Sequence, residues 1–187
     1  MPAVKAPSNI QTERLLLRKP ESGDATEIFR RYASDPEVTR FLAWPMHRSV
    51  DDTRVFLEYS EAEWARWPAG PYVICSLDNG NLLGSTGLSF DAPFRASTGY
   101  VLAKEAWGQG FATEALLAMR QLAADLGVKR LHAMCHPEHH PSRRVLEKGG
   151  FVFEGTLRKF SEFPNLNPGI AQDVASYAWV ENDTPQK

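Results

Sequence analysis

Gly99-Tyr100-Val101-Leu102, and then Trp107-Gly108-Gln109-Gly110-Phe111-Ala112-Thr113-Glu114-Ala115, is the stretch on which the reading of this chain turns. Thr98 to Leu102 has strand length, and Gly108-Gln109-Gly110 is a glycine turn. Thr113 to Leu126 then carries Ala115, Met119, Leu122 and Leu126 on one helical stripe, with Gly127 as its stop. Strand, glycine turn and helix together make an anion site. The glycines let backbone N–H groups converge, and the helix N-terminus adds partial positive charge. A lone Gly-x-Gly serves equally as a plain tight turn. This one is not a Walker loop, because no Gly-Lys-Ser/Thr follows, and it lacks the third glycine of a dinucleotide fingerprint.

Upstream, Leu15-Leu16-Leu17 between Arg14 and Arg18 reads as a short strand. Ser22 reads as the N-cap of a helix through Ile28, Phe29 and Tyr32, ended by Asp35-Pro36. A second helix begins at Ser49, with Val55, Phe56, Tyr59 and Ala62 expected on its buried face and Pro68-Ala69-Gly70 as its stop. Tyr72 to Leu77 leads through Asp78-Asn79-Gly80-Asn81 into Leu82-Leu83-Gly84 and Leu88-Ser89-Phe90, a hairpin for which Asn-Gly predicts a type I′ turn. Downstream come a strand at Arg130 to Cys135, a helix from about Pro141 to Gly149, and strands at Phe153 to Phe160 and Ala171 to Val180. Residues 1–11 read as a flexible lead-in, 12–180 as one domain and 181–187 as a frayed tail. The order β-α-α-β-β-β-α-β-α-β-β is that of a mixed sheet with helices on its faces, an α/β (α+β) fold.

With 187 residues, 43% of them apolar, the chain can bury a core without disulfides or metals. Lys plus Arg is 21 against 23 Asp plus Glu, a net charge of −2, which disfavours a dedicated duplex-DNA binder. Two cysteines, Cys75 and Cys135, are too few for a disulfide framework and read as reduced thiols. Met1 to Arg14 lacks the apolar core of a signal peptide, and charges interrupt every long apolar stretch. A cytoplasmic protein without membrane or nucleic-acid partners is expected, as a monomer or homodimer.

The Gly99 to Leu102 strand and the Trp107 to Ala115 turn resemble the acetyl-CoA-binding core of the Gcn5-related N-acetyltransferases (GNAT). More narrowly they are similar to the RimJ/RimL-type branch, which acetylates N-terminal alanine of ribosomal proteins. Thr12 to Arg18, Ser34 to Val38, Cys135 to Glu138, Ser142 to Lys148, Gly150-Phe151, Glu154 to Arg158, Pro164-Asn165 and Gln172 to Tyr177 extend the resemblance in order along the chain. It implies a mostly antiparallel sheet of about seven strands, splayed at its centre, with about four flanking helices. It also implies acetyl-CoA as cosubstrate, a primary amine as acceptor and no metal.

Carried onto this chain, the resemblance puts pyrophosphate on the amides of Gly108, Gln109, Gly110, Phe111 and Ala112, flanked by Trp107 and Thr113. It lays the pantetheine arm along Tyr100, Val101, Leu102 and Ala103. The Leu102 N–H would polarise the thioester carbonyl, and Ser142 would be the general acid for the thiol, a role that can coexist with an N-cap. Arg143 is a candidate for the nucleotide phosphates; Trp44, Tyr100 and Asn165 are candidates for the acceptor cleft. His139 stands where the branch has an Asn facing the pantetheine, and an imidazole contact there would make affinity vary between about pH 5.5 and 7.5. Glu13, His136 and Glu138 are candidates for the base. Cys135-His136, His139-His140 and His132 match no standard zinc spacing. The alternative function is a non-catalytic acyl-CoA-binding or sensor domain.

Overall fold

The computed structural model describes residues 5–181; the ends of the lead-in and tail, residues 1–4 and 182–187, lie outside the described residues. One eight-stranded sheet runs in the order β1-β2-β3-β4-β5-β6-β8-β7. Its strands are β1 (Asn9–Gln11), β2 (Leu15–Arg18), β3 (Pro71–Ser76), β4 (Leu82–Ala92), β5 (Arg95–Leu102), β6 (Arg130–Cys135), β7 (Val152–Glu162) and β8 (Ala171–Val180). Every pair is antiparallel except β5–β6, which is parallel. β1 is the strand beyond the expected seven. It arises inside the stretch read as a lead-in, because Ile10 pairs opposite Leu17 and packs against the core.

The helices are α1 (Ala25–Ile28), α2 (Pro36–Thr39), α3 (Val50–Arg66), α4 (Phe111–Asp125) and α5 (His140–Lys148). α4 and α5 cover one face of the sheet. There Ala115, Leu116, Met119 and Leu146 join Leu15, Leu17, Ile74 and Leu102 in the larger core. The segment α1 to α3 covers the other face, where Ile28, Tyr32 and Val38 pack with Val73, Cys75 and Leu82.

Three local expectations are corrected. Ser22 opens a 3-10 turn but does not cap it; the preceding Glu21 is the cap position, and its N–H donates to the Asp24 carboxylate at 2.8 Å. The Asn79-Gly80 turn is not type I′, which needs positive φ at both residues. Only Gly80 has it, at φ 72°, and its N–H reaches the Ser76 carbonyl, so the loop is a longer turn closed by a left-handed glycine. Finally, α3 is rotated relative to the expected face. Its buried residues are Thr53, Ser60 and Trp64, while Val55 is 64% and Tyr59 49% exposed. α3 thus buries two small polar side chains and one indole, and the Val55–Tyr59 stripe is turned elsewhere.

Arg18 on β2 fastens the turn before α1 by a two-pronged pair with Asp24, at 2.6 and 2.8 Å. Burial alone would raise the Asp24 pKa, but the Arg18 and Glu21 hydrogen bonds hold it below its ordinary value. Asp24→Asn should therefore cost about 2–3 kcal/mol in urea unfolding at pH 7, because it leaves a partly buried guanidinium without its anion. The wild-type contribution is complete above the ordinary carboxylate value of 3.8 and is lost as pH falls through the lowered folded value. A variant within about 0.5 kcal/mol of wild type would refute this role.

Candidate active site at the divergence of two strands

The parallel pairing of β5 with β6 covers only Arg95↔Arg130, Ala96↔Leu131 and Ser97↔His132. Beyond it β5 stays paired with β4, and β6 with β8, so the two strands part. Gly84 opposes Leu102, and the next N–H, that of Ala103, donates to the Leu83 carbonyl at 2.7 Å. Antiparallel alternation then turns the amide groups of Tyr100 and Leu102 away from β4, toward the gap. The Leu102 carbonyl accepts from the Trp107 indole at 2.8 Å. Its N–H still faces the opening.

β5 runs into the glycine turn. Gly108 has φ 73° and Gly110 φ 82°, conformations that side chains with a Cβ resist. Gly110 is the N-cap of α4, and no side chain caps the helix there. The first-turn amides of Phe111, Ala112 and Thr113 thus keep their donors for an outside anion. The loop is clamped from the turn between β1 and β2: Arg14 donates to the Gln109 carbonyl at 2.9 Å and stacks over the Phe111 ring. Glu114 accepts from Thr12 Oγ1, Arg14 N and Arg14 Nε at 2.6, 2.8 and 2.8 Å. Burial works to raise the Glu114 pKa; those bonds bring it below its ordinary value. Nothing local in the sequence ties Thr12 and Arg14 to a helix about 100 residues away.

Across the gap, the Tyr100 hydroxyl lies 3.0 Å from Ser142 Oγ and 3.1 Å from the Ser142 carbonyl, on the first turn of α5. Burial pushes the Tyr100 hydroxyl pKa up, so it stays a neutral donor. Cys135 is buried beside Ser142, and its thiol is likewise pushed up by burial. His139 stacks on Phe41 with ring centroids 4.8 Å apart, and His136 stacks on the same ring at 5.1 Å. Burial, with the neighbouring His136 and His140, drives the His139 pKa down to about 4. That lies below the pH 5.5–7.5 window expected for a cofactor-contacting imidazole at this position.

Other expected residues serve the scaffold. The Asn165 side chain accepts from Met46 N at 2.7 Å and donates to the Thr39 and Trp44 carbonyls, both at 2.8 Å. It pins the loop carrying Trp44 rather than facing the cleft. Arg143 donates from Nε to the Tyr177 hydroxyl at 3.0 Å, and its guanidinium lies over Phe153. Its engagement is with β7 and β8. Among the candidate bases, Glu13 and Glu138 are exposed and outside the cavity. His136 has both ring nitrogens engaged, by Glu138 N–H and by Gln172 Oε1, each at 3.2 Å.

The gap opens into a cavity of about 1150 Å³ that passes through the sheet. Tyr100, Cys135, Ser142 and Leu146 line it on the α4–α5 side, and Tyr32, Trp44, Val55, Phe56 and Tyr59 on the other. The α3 stripe expected in the core is one of its walls. Tyr32 and Ser85, bonded to each other, and His47, bonded to Thr53 at 2.8 Å, also line it and had no signal in the sequence.

Residues 14–152 match the model of the acetyltransferase (GNAT) domain family. The uncharacterized N-acetyltransferase p20 of Bacillus licheniformis is 31% identical over 156 residues, covering 82% of this chain and 87% of that protein. The uncharacterized N-acetyltransferase YoaA of Bacillus subtilis is 31% identical over 159 residues, covering 81% and 86%. A GNAT-family acetyltransferase from Bacillus anthracis superposes with a TM-score of 0.81 at 26% identity, covering 94% of this chain and 99% of that one. The microcin C7 self-immunity acetyltransferase MccE, solved with acetyl-CoA and AMP, superposes at 0.83 with 23% identity, covering 95% and 98%, and shares the fold. RimL, a ribosomal-protein α-N-acetyltransferase, does so at 0.81 with 23% identity, covering 92% and 93%.

His139 yields a test that needs no ligand. Between pH 6.5 and about 4 the unfolded chain takes up a proton that folded His139 refuses, so this residue makes stability fall as pH drops through that window. An NMR titration should give its imidazole a midpoint near 4, and His139→Gln should flatten the stability loss between pH 6.5 and 4.5. A midpoint near the ordinary value of 6.5 would overturn the buried, neutral assignment.

Proposed function

The chain belongs to the acetyltransferase (GNAT) family, and we propose that residues 12–180 form one catalytic domain that moves the acetyl group of acetyl-CoA onto a primary amine by direct attack in a ternary complex. The observation that carries this reading is the early end of the β5–β6 pairing at Ser97↔His132. It leaves strand amides facing a gap that joins an uncapped helix N-terminus to a through-sheet cavity.

The residues present fit the cosubstrate. The amides from Gly108 to Thr113 would hold its pyrophosphate, with Arg14 and Glu114 keeping the loop in shape. The gap-facing amides of β5 would hold its pantetheine arm as another strand would be held, without side-chain specificity. When bound, acetyl-CoA supplies an activated thioester. The Leu102 N–H polarises the thioester carbonyl where negative charge develops. The Ser142 hydroxyl, itself bonded to Tyr100, gives its proton to the departing sulfur, and Tyr100 re-supplies it and takes a proton back from solvent. No carboxylate lines the deep cavity, so the amine enters in its neutral form and the apolar walls favour that form.

Two variants test the reading. Gly108→Asp places a carboxylate in the anion turn, at a backbone conformation that Asp tolerates better than most residues. It should weaken acetyl-CoA binding at least tenfold in calorimetry while the circular dichroism spectrum stays unchanged; unaltered affinity would remove the turn from the site. Ser142→Ala should lower kcat about 10- to 100-fold with little change in acetyl-CoA affinity, the mark of a group acting in the transition state. Unchanged turnover with a lower melting temperature would reduce Ser142 to a structural contact.

A further inference from the structure

The acceptor side of the cavity is nearly free of charge although the chain carries 23 acidic residues. Among the described residues only two charged side chains, Arg48 and Asp52, line it, and both are exposed at its mouth. The Asp52 carboxylate accepts from the Arg48 and Ser49 amides at 2.7 and 3.1 Å, which ties it to the start of α3. His47 and His139 are held neutral at pH 7, in each case first by burial. The deep walls are rings and aliphatic groups, among them Phe41, Trp44, Phe56 and Phe163. Four large apolar side chains in this lining are exposed: Val55 at 64%, Phe160 at 56%, Tyr59 at 49% and Met134 at 42%. The hydroxyls of Tyr32 and Ser85 satisfy one another.

Building on the acetyl-transfer reading above, we propose that the acceptor is a primary monoamine with an aromatic or large aliphatic body, and that polycationic amines are rejected. Such an amine fills the cavity with its apolar part and sends a single nitrogen through to the gap near Leu102. The bare apolar walls lose their water on binding, which is the source of affinity. The same walls lower the pKa of the incoming ammonium, because desolvation disfavours the charged form. That frees the nitrogen lone pair without a dedicated base. In the step itself the nitrogen forms a bond to the acetyl carbon, the carbon–sulfur bond breaks, and the sulfur takes its proton from Ser142. The surplus nitrogen proton passes to solvent. A polyamine or an aminoglycoside would have to bury further ammonium groups against rings, where the single carboxylate of the lining, Asp52 at the mouth, is already bonded to the Arg48 and Ser49 amides, a penalty several times a lost hydrogen bond.

The test is thiol release from acetyl-CoA by the full chain with phenylethylamine, tryptamine and phenylalanine amide on one side, and spermidine and kanamycin on the other. The aromatic monoamines should show at least 100-fold higher kcat/KM than the polycations. Tyr59→Glu and Val55→Glu, both at exposed positions of the α3 wall that tolerate acid, should each narrow that ratio at least tenfold by adding an unpaired carboxylate to it. Preference for spermidine or kanamycin overturns the inference while leaving acetyl transfer intact. So does an absence of transfer to the aromatic amines by a protein that binds acetyl-CoA. Failure to bind acetyl-CoA in calorimetry would instead overturn the reading on which the inference rests.

Discussion

Two neighbouring strands, β5 and β6, stop pairing after Ser97↔His132, and the functional geometry depends on that interruption. Buried backbone amides without partners are costly, so a gap of this kind persists only where something else keeps the strands apart. Here β4 and β8 hold the outer edges of the two strands, and the side chains of Tyr100 and Ser142 bridge the opening. The same bridge puts a hydroxyl pair at the place where the sheet's two faces communicate.

The sheet's faces divide the labour. On one, α4 begins with left-handed Gly110 and the turn before it is clamped by Arg14 and Glu114, so the face presents backbone donors to an anion. On the other, α1 to α3 build a chamber of rings. Asn165 reaches from the loop between β7 and β8 to hold the Trp44 loop over that chamber through three backbone hydrogen bonds. The cavity through the gap makes a single site of two surfaces built from opposite ends of the chain.

Burial sets the electrostatics of this site more than charge pairing does. Tyr100, Cys135, His47 and His139 are each moved toward the neutral form first by desolvation. A neutral, weakly hydrated reaction zone suits an uncharged nucleophile and strengthens each hydrogen bond formed within it. The charged pairs that matter, Arg14 with Glu114 and Arg18 with Asp24, lie outside the zone and hold its frame.

The sequence alone determined the order of β2 to β8, the glycine turn with its helix and the capping of α3 at Ser49, while the placement of Tyr100 and Ser142 in one site was implied by the family resemblance. Those features rest on local spacing, or on a motif whose backbone geometry only certain residues permit. The tertiary structure decided the direction in which amphipathic faces point. Val55, Phe56 and Tyr59 have the spacing of a core stripe, and periodicity cannot tell a core from a cavity wall. It also decided the partners of long-range polar groups. Asn165 and Arg143 have the right chemistry for ligands, yet Asn165 meets backbone groups about 120 residues away and Arg143 meets Tyr177. His139 shows the limit most plainly: its identity and its neighbours His136 and His140 are local, but the burial that first lowers its pKa belongs to the packed site, where its ring stacks on Phe41. Burial is a property of the packed chain, and no stretch of sequence carries it alone.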